Sequence, residues 1–174
     1  MTKIILFAIL VLSFGAFRAD AEPLRIVAIG ASNTQGWYIG TQAAYPAQLQ
    51  ARLAEAGIDA QVTNAGVPFE TTSMMNNRLE RDVPRATDIV ILQPGANDLR
   101  FLGTREQRAA NIATMMRRLQ ARGIKVIVYD DDIPLRYYTL DFIHLTRDGH
   151  TMIAAALLPR VMELVAAGHR KSAR

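Results

Sequence analysis

At 174 residues, half of them hydrophobic and 21% charged, the chain is long enough for one domain with a single sizeable core. It contains no cysteine, which excludes a disulfide framework, a thiolate zinc site and a cysteine nucleophile. The formal charge of +4 is a mild excess, and no basic stripe interleaved with aromatics accompanies it, which argues against nucleic acid as a partner.

The N-terminus reads as an address rather than as fold. Lys3 precedes an apolar run from Ile4 to Phe17, and Ala19-Asp20-Ala21 has the small-x-small pattern of a signal-peptidase site. Residues 1–21 are therefore expected to be a removed secretory signal, because the run is shorter than the roughly 20 residues that span a bilayer and Arg18 closes it. The expected product is residues 22–174 as a single domain, periplasmic or secreted, with no stable membrane insertion and a charge of about +3. The basic tail from His169 to Arg174 reads as a frayed, solvated terminus.

Ile26 to Ile29 is a short apolar run that stops abruptly in Gly30-Ala31-Ser32-Asn33-Thr34, the pattern of a buried strand delivering a serine. Of the four serines, Ser32 alone falls at the C-terminal end of a predicted strand, where open α/β sheets place ligands. By itself it could equally cap the next helix or close a turn. Tyr45-Pro46 opens a helix with Leu49, Leu53 and Ala56 on one face, stopped by Gly57. A second strand follows over Ala60 to Asn64 and ends at Ala65-Gly66. Thr72 then reads as the N-cap of a helix through Val83, with Met75, Leu79 and Val83 inward.

Asp88 to Pro94 is an almost unbroken apolar run, as a central parallel strand covered on both faces requires, and it delivers Gly95-Ala96-Asn97-Asp98. Thr104 to Gln107 has the capping-box pattern, opening an amphipathic helix through Ile112, Met115, Met116 and Leu119 that Gly123 terminates. Ile124 to Tyr129 is the fourth strand. After Asp141-Phe142-Ile143-His144 a last helix runs from about Thr146 to Ala167, with Ile153, Leu157, Val161 and Leu164 inward and a kink or break expected near Leu158, before Pro159. Strands alternating with helices over short links predict an α/β three-layer sandwich with a parallel, flavodoxin-like sheet.

Ser32, Gly66, Asn97 and His144, in that order and each beside a predicted strand end or helix start, resemble the four blocks of the SGNH (GDSL-type) serine hydrolases. The resemblance extends from about Ile26 to about Val161, and the branch it most resembles is the acyl-CoA thioesterase/lysophospholipase one. Ala31 stands where that family usually carries aspartate. Only Asp130 to Leu140 separates the fourth strand from Asp141, too little for the family's usual fifth edge strand. The resemblance implies Ser32 as nucleophile, His144 as its base and Asp141 as the carboxylate that fixes the imidazole tautomer. It also implies an oxyanion hole from the N–H groups of Ser32 and Gly66 and the side-chain amide of Asn97, with no cofactor and no metal.

Asp98 is expected to brace its loop, and Asp130-Asp131-Asp132 reads as a solvated acidic loop rather than a divalent-cation site. Trp37, Tyr38 and Phe69 are candidate substrate-binding residues, with aromatic core packing as the alternative. His150 and His169 are expected at the surface. The expected substrate is a small-molecule or lipid-like carboxylic ester or thioester; a carbohydrate O-acetyl esterase and a non-catalytic binding module remain alternatives. A nucleotide binder is disfavoured by the lack of a glycine-rich phosphate cradle after the first strand.

Overall fold

The computed structural model describes residues 22–101 and 103–172, so the expected signal at 1–21 lies outside the described residues. Strand β1 (Leu24–Gly30) leads into a single turn of helix, α1 (Ser32–Gln35), and then α2 (Tyr45–Glu55) and β2 (Ala60–Gly66). Two short helices, α3 (Thr72–Asn77) and α4 (Leu79–Asp82), precede β3 (Ile89–Gln93). The turn α5 (Asn97–Arg100), the long helix α6 (Arg105–Gln120), β4 (Lys125–Val128) and α7 (Arg147–Ser172) complete the order.

The four strands form one parallel sheet in the order β2-β1-β3-β4. Successive side chains of a strand point to opposite faces, and the two cores divide accordingly. Ile26 and Ala28 of β1 and Ile89 and Ile91 of β3 pack under Tyr45, Leu49 and Leu53 of α2 and Ile153, Leu157 and Val161 of α7. Val27, Ile29, Val90 and Leu92 pack on the other face with Met75, Leu79, Val83, Met115 and Leu119. The result is the three-layer α/β/α sandwich with a flavodoxin-like order and β4 as its edge.

Because β2 and β3 lie on opposite sides of β1, the chain reverses direction across the sheet between β1 and β3. Ligand crevices form at such a reversal, outside the carboxyl ends of the strands. Ser32 follows β1 and Asn97 follows β3, so both stand at that point.

Some local expectations change. Thr71, not Thr72, caps α3, its hydroxyl accepting from Met74 N–H at 3.4 Å. The helix predicted through Val83 is interrupted at Arg78, whose buried guanidinium bonds Glu70 at 2.6 Å, Asp82 at 2.5 Å and the Gly30 carbonyl at 3.2 Å. No break occurs before Pro159, since α7 continues through it with the proline exposed, on the side away from the buried Ile153, Leu157 and Val161. Ala56 is the exposed C-cap of α2 rather than part of its inner face.

Candidate active site

The Ser32 side is built into the sheet. Ser32 is 8% exposed and opens α1, where first-turn N–H groups have no intrahelical acceptor. Thr34, fully buried two residues further in, donates its hydroxyl to Gln93 Oε1 at 2.7 Å and lies 3.3 Å from the Tyr45 hydroxyl. That contact explains the glycine of the first block, because a Cβ on Gly30 would fall 2.0 Å from Thr34 Oγ1. Ala31, in the usual aspartate position, contributes its methyl group to the apolar cluster with Val27 and Ile29.

The Asp141–His144 side is a tight surface loop. Thr139 N–H donates to the His144 carbonyl at 2.8 Å and Thr146 N–H to the Tyr137 carbonyl at 2.8 Å, closing residues 137–146 into a small hairpin. Inside it, Asp141 Oδ1 accepts from the N–H groups of Ile143 and His144, both at 2.9 Å, and from the Thr139 hydroxyl at 2.7 Å. Its other oxygen, Oδ2, meets His144 Nδ1 at 2.6 Å. The backbone and side-chain bonds from His144, followed by that from Thr139, hold the Asp141 carboxyl well below the usual carboxylate range. An ionised Oδ2 accepts a hydrogen bond from Nδ1–H, which keeps the imidazole proton on Nδ1 and leaves Nε2 free to act as a base.

His144 is seated beside α1. Trp37, whose N–H donates to the Ser32 carbonyl at 3.0 Å, stacks on the imidazole at 5.7 Å between centroids, and Tyr38 meets its edge at 5.1 Å. Phe69 packs edge-on against Trp37 at 5.5 Å. The three predicted aromatics therefore gather around His144 rather than in the core. Among the described residues no hydrogen bond joins Ser32 Oγ to His144; catalytic contacts of this kind are often long until substrate is bound.

The amide donors divide. Asn97, buried next to Ser32, uses one N–H on the Glu70 carbonyl at 2.9 Å and keeps a second. Ser32, Asn97, Gly95 and Ile143 surround a hollow of about 40 Å³. Gly66 is corrected: its N–H donates to Asn64 Oδ1 at 3.0 Å and so is not a free oxyanion donor. The glycine serves packing instead, since a Cβ there would lie 2.2 Å from Gln35 N. Phe69, three residues on, sits at φ 65°, and its N–H has no acceptor among the described residues.

Next to the hollow a cleft of about 410 Å³ opens between α5, the end of β4 and the Asp141 loop. Arg100, Arg105, Tyr138 and Asp130 to Asp132 contribute to its walls. Asp130 is held by both terminal nitrogens of Arg108, at 2.8 and 2.5 Å, and Asp131 by Arg160 at 3.4 Å, so this acidic run anchors the loop after β4. Asp98 braces its own loop by accepting the Thr72 hydroxyl at 2.6 Å and the Thr72 N–H at 3.0 Å.

His150 is not at the surface: it is fully buried, accepts the Tyr45 N–H at Nδ1 at 3.1 Å and stacks on the Tyr45 ring. Sequence reasoning also missed Asn33, Thr34, Glu70, Arg78 and Gln93. Nothing in their order along the chain announces these bonds.

A serine at the switch point of a parallel α/β sheet, with a carboxylate-bonded histidine stacked on Trp37 beside its helix, is an arrangement that suits a serine hydrolase. The family model described as GDSL-like lipase/acylhydrolase matches residues 28–137, and the chain belongs to this family. Esterase TesA of Pseudomonas aeruginosa is 30% identical over 145 residues, covering 79% of this chain and 68% of the relative. The crystal structure of TesA superposes with a TM-score of 0.73 at 20% identity, covering 80% of this chain and 99% of that one. AlinE4, described as an SGNH-hydrolase family esterase, superposes with a TM-score of 0.60 at 26% identity, over 71% of this chain and 66% of the other.

Proposed function

We propose that the chain is an exported serine esterase that removes short acyl groups from polar alcohols through an acyl-serine intermediate, with Ser32, Asp141 and His144 as its triad. The observation that carries the reading is the 2.6 Å contact between Asp141 and His144, held beside the Ser32 helix by Trp37. His144 Nε2 takes the Ser32 hydroxyl proton as Oγ bonds to the ester carbonyl carbon. The resulting oxyanion is met by the Ser32 N–H and the remaining N–H of Asn97. Collapse breaks the bond to the alkoxy oxygen, which receives the proton from His144. Water then loses a proton to His144 as it attacks the acyl carbon, and collapse of that adduct, with the proton passing from His144 to Oγ, releases the acid and the free serine.

Two features support short acyl groups and a polar partner. A hollow of about 40 Å³ beside Ser32 holds a few non-hydrogen atoms, not a chain. The cleft beyond it carries guanidinium and carboxylate groups, and burying those under an apolar tail would leave charges without water. A second reading, hydrolysis of lipid-like acyl esters, is favoured by the exposed Tyr38, Phe69 and Phe142 at 72%, 61% and 66%.

A series of p-nitrophenyl esters of increasing chain length, run on residues 22–174 and on Ser32→Ala, separates the readings. Acetate and butyrate are expected to exceed palmitate at least tenfold in kcat/KM, with the Ser32→Ala rate at background. Preference for the long chains would replace the short-acyl reading by the lipid one. Failure of both turnover and fluorophosphonate labelling of Ser32 would leave a binding module on an esterase scaffold.

A further inference from the structure

The residue after Ser32 makes two hydrogen bonds with its side-chain amide, one donated and one accepted. Asn33 Nδ2 donates to the Ile143 carbonyl at 3.0 Å, and Asn33 Oδ1 accepts the Leu145 N–H at 3.0 Å. These are the backbone groups on either side of His144, reached across more than a hundred residues of chain. The amide orientation is unambiguous, because a flipped group would set its NH2 against the Leu145 N–H and its oxygen against a carbonyl.

We propose that Asn33 is a positioning residue that fixes the distance between the nucleophile and its base. This inference rests on the esterase reading above. Asp141 organises the hairpin from within, but all its bonds stay inside residues 139–144 and none reaches the sheet. Asn33 lies next to Ser32 on α1, so its amide transmits the position of the strand end directly to the His144 backbone. Trp37 restrains the imidazole ring by stacking, which is non-directional, whereas the amide sets height and register. Without it the Asp141–His144 pair persists but drifts relative to Ser32, and misplacement by about 1 Å can cost a hundredfold in rate.

A base that also donates the proton to the leaving group gives this claim a specific readout. p-Nitrophenolate departs as an anion, whereas an alkoxide must receive a proton from His144. Asn33→Ala is therefore expected to lower kcat on p-nitrophenyl acetate about tenfold and on ethyl acetate about a hundredfold, with KM little changed on either. Asn33→Asp, which keeps the acceptor for Leu145 N–H and loses the donor, should fall between wild type and Asn33→Ala. The ratio of the two rates does not depend on how much of the variant is folded, so partial unfolding cannot imitate the result. Equal losses on the two esters, or kcat unchanged in Asn33→Ala, would overturn the proposal. A wild type inactive on both esters would instead sink the esterase reading itself.

Discussion

The two ends of the site are held in different ways. The Ser32 end grows out of a buried strand: Gly30, Thr34 and Gln93 interlock at distances that leave no room for a side chain on the glycine. The His144 end is a surface hairpin in which Leu140 and Phe142 are 96% and 66% exposed, closed by two backbone bonds and tied inside by the oxygens of one carboxylate. Hydrophobic burial over two faces of β1 makes the first end stiff. Polar bonds in partial contact with water make the second stable only while every acceptor is present. Removing a hydrogen-bonding group should thus cost more chemistry than stability at the hairpin, and the reverse should hold where the group is buried in the core.

Asp141→Asn is the sharpest test of that contrast. The substituted amide can still accept at Oδ1 from Thr139, Ile143 and His144, so the hairpin should persist. Its NH2 would, however, face His144 Nδ1 and select the tautomer with the proton on Nε2, which cannot accept one from Ser32. In a serine protease the corresponding change lowers kcat by about 10⁴. A fall of about 10³ to 10⁴ near neutral pH, with a melting temperature close to wild type, is expected here; a loss of less than tenfold would remove Asp141 from the mechanism.

Asn97→Ala should come next. Loss of one oxyanion donor typically costs about 10²- to 10³-fold in kcat. The variant also loses the bond to the Glu70 carbonyl, worth on the order of 1 kcal/mol, so a modest fall in melting temperature should accompany it. Gly66→Ala provides the control. Since that N–H already has its acceptor, any loss of activity there should track destabilisation from the contact with Gln35, whereas Asn97→Ala should lose rate out of proportion to stability.

The same contrast explains what could be read from the chain beforehand. The strand ends were legible because apolar runs of about five residues stop in small and polar groups, and Ser32 and Asn97 follow directly from that pattern. Asp141 and His144 stood out through the resemblance to the SGNH hydrolases. The hydrogen-bond partners were not, because a glycine in the right order does not reveal that Asn64, two residues earlier, has taken its N–H. Arg78 ends α3 for a tertiary reason, its buried bonds to Glu70 and the Gly30 carbonyl, and helix periodicity carries no trace of that. His150 was readable and misread. With Ile153, Ala154, Leu157 and Val161 it completes the buried stripe of α7, although the polar start of the helix suggested a solvated residue.

That buried histidine yields the smallest expected effect and the cleanest physical one. The Tyr45 N–H is among the orphan donors at the start of α2, and Ala44 offers no side-chain cap, so His150 Nδ1 supplies the missing acceptor from a different helix. Among the described residues its Nε2 is buried without a partner, and burial pushes the imidazole pKa down from 6.5 to about 4. Because the folded value lies below the unfolded one, the unfolded chain binds the extra proton. Stability should be full above pH about 6.5 and decline as pH falls toward about 4, by up to about 3 kcal/mol. His150→Gln replaces the imidazole by an uncharged acceptor and should be less stable at pH 8 yet flatter across that window. Urea unfolding of both proteins at pH 4.5 and 8 measures the difference directly, and equal slopes in the two would show that the acid sensitivity arises elsewhere.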